Sequence, residues 1–63
     1  MIMKDTILNK IFSTLIRLGM YNRTAVEVYK EIAASDGWRF NDLCAIYHLT
    51  EEEKYFVWND QSA

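Results

Sequence analysis

In the first third of the chain, apolar residues return every three or four positions. Ile7, Leu8, Ile11, Phe12, Leu15, Ile16 and Leu18 occupy one half of a helical wheel, and Asn9, Lys10, Ser13, Thr14 and Arg17 the other. This spacing predicts an amphipathic helix that starts near Asp5 or Thr6. It ends at Gly19, where a left-handed residue costs least. So wide an apolar arc suits a helix touching two neighbours, or one neighbour and a second subunit.

Thr24-Ala25-Val26-Glu27 then reads as a capping box, the threonine hydroxyl and the glutamate carboxylate each satisfying a backbone amide. It opens a second helix whose buried face is Val26, Val28, Tyr29, Ile32 and Ala33 and which Gly37 stops. A third, short and central helix is expected over Asn41 to Leu49, with Asn41 as its cap and Phe40 stapling onto Ala45. Its residues are apolar on several sides through Leu43, Cys44, Ala45, Ile46 and Tyr47. Thr50-Glu51-Glu52-Glu53 repeats the capping box and puts three carboxylates at the positive end of a helix dipole. The run Tyr55-Phe56-Val57-Trp58 also suits a short strand, but the cap favours a fourth helix. Gln61-Ser62-Ala63 is expected to fray. The expected fold is all-α: one domain over residues 1–63, a bundle of three to four short helices with a helical corner between the second and third.

Length bounds what such a bundle can do alone. Sixty-three residues bury little surface relative to the entropy of ordering them. Cys44 is the sole cysteine, so an intrachain disulfide is impossible, and no ligand spacing for structural zinc exists. About half the residues are apolar and nine are aromatic, which is more than so small an interior shelters. Association is therefore expected, as a homodimer or with an obligate partner. No cofactor or metal is expected, nor a membrane segment, because Asn9, Lys10, Ser13 and Arg17 interrupt the N-terminal apolar stretch. The lone thiol and the lack of a targeting signal make the cytoplasm the expected location.

The formal charge of −2 is unevenly spread. Up to residue 40 six cations outnumber four acids, whereas beyond it Asp42, Glu51, Glu52, Glu53 and Asp60 face only Lys54. A general nucleic-acid binder normally carries a clustered basic face, which this distribution does not suggest.

Two surfaces are candidates for function. The first is aromatic and acidic: Trp58 and Tyr55 as anchors, flanked by Glu51 and Glu52. Each also has a structural explanation, Trp58 as a lid on its own core and the acids as a solvated helix start. The second is a helix-turn-helix, with Arg39, Asn41 and His48 as DNA contacts; Asp36, at a normally apolar place in such units, and Asp42 count against it. Cys44 and His48 stand four apart, within reach of a thiolate-imidazole pair, but no third orienting residue accompanies them and Cys44 reads as a small buried hydrophobe. The leading expectation is a non-enzymatic regulatory or inhibitory protein that binds another protein. Small inhibitors of phages and mobile elements share this broad character, although no motif here identifies such a family. The alternative is a dimeric helix-turn-helix transcriptional regulator.

Overall fold

The computed structural model describes residues 3–60, which run α1 (Lys4–Arg17), α2 (Ala25–Ala34), α3 (Gly37–Ile46) and α4 (Glu51–Asp60), with no strand among them. The all-α bundle is thus the observed architecture, and Tyr55 to Trp58 are helical. The expectation of fraying at residues 61–63 lies outside the described residues.

Capping chemistry explains most helix boundaries. α1 starts slightly earlier than its spacing suggests. Met3 is its N-cap without a side-chain bond, and Asp5 does not cap but sits in the first turn, where a carboxylate complements the helix dipole. The helix closes on Gly19 at φ 75°: Gly19 N–H donates to the Ile16 carbonyl (3.1 Å) and Met20 N–H to that of Leu15 (2.9 Å), the paired bonds of a Schellman motif. At α2, Thr24 Oγ1 accepts from Glu27 N–H at 3.1 Å. Only this half of the expected box forms, because the Glu27 carboxylate accepts instead from Arg23 Nε at 3.0 Å.

The third helix corrects the sequence reading. It spans Gly37–Ile46, about one turn ahead of the expected Asn41 to Leu49. Asn41 is therefore an exposed mid-helix residue rather than a cap, and Phe40 is itself buried instead of stapling onto Ala45. Gly37, left-handed at φ 58°, is the reason. It lets the chain turn within Ser35 and Asp36, and the extra helical turn brings Phe40 inward beside Cys44 at i+4. At the other end His48, at φ 59°, does what Gly19 does for α1: His48 N–H donates to the Ala45 carbonyl (3.2 Å) and Leu49 N–H to that of Cys44 (3.0 Å).

The core is built from Ile7, Ile11 and Leu15 of α1, Val28, Tyr29 and Ile32 of α2, Phe40 and Cys44 of α3, Tyr47 and Leu49 of the following turn, and Val57 of α4. Several wheel assignments change. Val26 and Ile46, expected inside, are exposed, while Thr14 is buried with its hydroxyl donating to the Lys10 carbonyl at 3.0 Å.

α4 is clasped at both ends. Glu53 is 2% exposed; its Oε1 accepts from Lys10 Nζ (2.6 Å) and Thr50 N–H (2.8 Å), while its own N–H donates to Thr50 Oγ1 (3.2 Å), a complete capping box. At the C-terminal end Asp60 Oδ2 accepts from the Tyr29 hydroxyl (2.7 Å), and Lys4 Nζ lies 3.8 Å from it and over the Tyr29 ring. Burial and this bond to Asp60 hold the Tyr29 phenol above its usual range.

Burial pushes the Glu53 carboxyl up, but the Lys10 ammonium and the amide and hydroxyl of Thr50 outweigh it and hold the group below the ordinary glutamate range. A carboxyl depressed in the folded state contributes stability that is present above its unfolded value and lost as pH falls through the folded one. Glu53→Gln keeps an acceptor for Thr50 N–H and loses the ion pair, whereas Glu53→Ala loses both. Denaturation at pH 7 should show losses of about 1–2 kcal/mol for the first and about 3 kcal/mol for the second. Repeated below the glutamate range, the same measurement should show both deficits narrowing; a deficit independent of pH would mean that the charge of Glu53 contributes nothing.

Candidate functional site

With Glu53, Val57 and Asp60 turned inward, helical geometry leaves Glu51, Glu52, Tyr55 and Trp58 on the opposite, outward side of α4. All four are exposed, and the spacings of three and four between them make them surface neighbours. The structure therefore brings together the residues expected to bind protein. Tyr55 is 68% exposed, whereas Trp58, at 46%, leans one edge on Phe40 of α3, with ring centroids 5.1 Å apart and planes at 74°. Trp58 is consequently both a lid on the core and a surface residue, its orientation fixed from behind. Among the described residues Glu51 pairs with Lys54, at 3.5 Å, and its own carboxylate is so exposed that the pair contributes little. α4 carries aromatic residues on both faces, with Phe56 against the core and Tyr55 and Trp58 outside.

The candidate DNA contacts are not gathered in this way. Arg39 and Asn41 are two residues apart on α3 and project to different sides of it, and His48 lies in the turn beyond the helix end. Arg39 is also engaged: its Nη2 lies 3.7 Å from Glu31, which binds Arg23 as well. The outward face of α3 presents Trp38, Asn41, Asp42 and Ala45. Trp38, 78% exposed and opposite Phe40 and Cys44 on the wheel, is a surface aromatic. Its exposure could have been read from the true helix start, which Gly37 conceals.

A second feature lies on α1. Thr6, Lys10, Ser13 and Arg17 recur at spacings of four, three and four along its polar flank. With Asn9, and with His48 from the α3–α4 turn, they line a groove of about 400 Å³. Lys10 Nζ, besides its bond to Glu53, approaches the His48 carbonyl at 3.4 Å. Nothing in the sequence joined His48 to this flank. The opposite flank of α1 exposes Phe12 and Ile16, which belong to its apolar half.

No group of three or more His, Cys, Asp or Glu among the described residues could hold a metal ion. No family model, curated protein or solved structure matches this chain. No helix among the described residues is long and apolar enough to cross a membrane.

Cys44 is fully buried while His48 is exposed, and burial pushes the thiol up, so it is held as an unreactive neutral group. Labelling with a thiol reagent near neutral pH should be slow in the native protein and should accelerate in step with denaturant unfolding. Rapid labelling of the native state would place Cys44 at the surface and reopen a thiolate role.

Proposed function

We propose that the chain is a non-enzymatic regulatory or inhibitory protein acting in the cytoplasm, which binds another protein through the outward face of α4. The observation that carries this is the assembly of Glu51, Glu52, Tyr55 and Trp58 on one exposed helix face whose other side is fixed by Glu53, Val57 and Asp60. Amphipathic rings held in place lose little entropy on binding, and they anchor interfaces for that reason. The flanking carboxylates favour a partner surface carrying Lys or Arg, whose cations can pair with Glu51 and Glu52 and stack on the rings.

Self-association is a separate part of the proposal. Five of the nine aromatic side chains are exposed, and Phe12 and Ile16, one turn apart on α1, offer a stripe that a second copy can cover. The regulator reading is weakened by the pairing of Arg39 with Glu31 and by Asp42 on the outward face of α3, so duplex DNA serves as the competing partner in the test.

Immobilised protein should retain a host protein that is lost, by about tenfold or more, from Trp58→Ala and from the double variant Glu51→Lys, Glu52→Lys, with helicity by circular dichroism unchanged. Equal retention by both variants would remove this face from consideration, and salt-sensitive binding to duplex DNA would favour the regulator. In sedimentation, a dimer that dissociates on Phe12→Ser or Ile16→Ser is expected. A monomer at every concentration would reject the self-association.

A further inference from the structure

The groove along α1 is separate from the α4 face and has its own chemistry. Its donors line one flank of α1, namely the Arg17 guanidinium, the hydroxyls of Thr6 and Ser13, the Asn9 amide and the Lys10 ammonium, with His48 contributed by the α3–α4 turn. Lys10 commits two of its three N–H groups, to Glu53 and to the His48 carbonyl, which leaves one free. No carboxylate lines the groove among the described residues, and Arg17 forms no ion pair with any of them. At its mouth stands His48, a non-glycine residue with φ 59°. Glycine closes α1 by the same hydrogen-bond pattern at no steric cost, so a side chain retained here at a cost in backbone energy marks a site to be explained.

We propose that this groove binds the phosphate group of a small phosphate monoester, with Arg17 and His48 as its principal ligands and Ser13 completing the cradle, while Thr6, about 16 Å from Arg17 along the helix axis, is left to the organic part. A guanidinium fork matches phosphate oxygens two at a time, and a tetrahedral anion can use donors spread around a groove that a planar carboxylate cannot reach together. The volume exceeds what inorganic phosphate alone fills, so the ester's organic part occupies the remainder.

The test is titration of the isotopically labelled full chain with AMP, with inorganic phosphate and with a short duplex DNA, followed by NMR. Saturable shifts at Ser13, Arg17 and His48 are expected with AMP, with affinity about tenfold weaker in Arg17→Ala and in His48→Gly. Equal affinity for inorganic phosphate would support the site with the free anion as its occupant. His48→Gly also separates binding from folding, because relief of the left-handed strain should raise the melting temperature by roughly 4–8 °C while affinity falls. The proposal is overturned if neither AMP nor phosphate gives saturable shifts, if the shifts survive both groove variants, or if duplex DNA binds in preference and AMP does not compete.

Discussion

A carboxylate is kept almost out of water at the point where α1, the α3–α4 turn and α4 meet, and the placement of α4 follows from it. An unpaired charge there would cost several kcal/mol, so the only tolerable arrangements bring Lys10 Nζ to Glu53 while Thr50 satisfies the remaining lone pairs. The net energy of such a pair is modest. Its effect is selective: α4 could rotate about its axis at little apolar cost, having rings on both faces, but any rotation that exposed Glu53 would break the cap and strand Lys10. With Glu53 inside, Val57 and Asp60 are inside as well, and the outward face is determined by subtraction.

The same logic reinterprets the uneven charge. The two halves of the chain carry opposite formal charge, and the structure uses much of that difference internally, Lys10 against Glu53 and Lys4 against Asp60. What remains includes Asp5, Lys30, Asp36 and Asp42, exposed on separate elements. Glu51 and Glu52 stay on the outward face of α4, and Arg17 stays without a carboxylate partner in the α1 groove. The α4 face and the α1 groove thus carry charge of opposite sign on different elements.

Most of the architecture was legible because helices announce their ends locally. Gly19, Thr24 and Thr50 act within three or four residues of themselves; the structure uses Gly19 and Thr50 as read, and Thr24 as a cap whose reciprocal bond from Glu27 does not form. The third helix was misplaced because its start depends on a left-handed Gly37 that the sequence equally allows to be a stop, and its end on His48 in a role usually filled by glycine. Neither choice is local: the extra turn is selected by the burial of Phe40 against the rest of the core. The α4 face was legible in outline, since the spacing of Glu51, Tyr55 and Trp58 follows from the helix alone. The α1 groove was not, because it needs Arg17 and His48 from distant parts of the chain, and long-range proximity leaves no trace in periodicity.

Exposed rings in a small protein are one sign by which incomplete packing is recognised, and the total area tests for it. The chain exposes 4425 Å², close to the roughly 4,200 Å² that scaling gives for a well-packed monomer of this mass. The fold is thus as closed as its size permits. No buried side-chain nitrogen or oxygen among the described residues lacks a partner, so the interior shows no sign of a packing compromise. Loose packing therefore does not account for Tyr55, Trp38 and the half-exposed Trp58. Tyr55 and Trp38 stand outside because the ion pair at Glu53 and the turn at Gly37 orient α4 and α3 that way, and Trp58 is half covered because the same orientation sets its ring against Phe40.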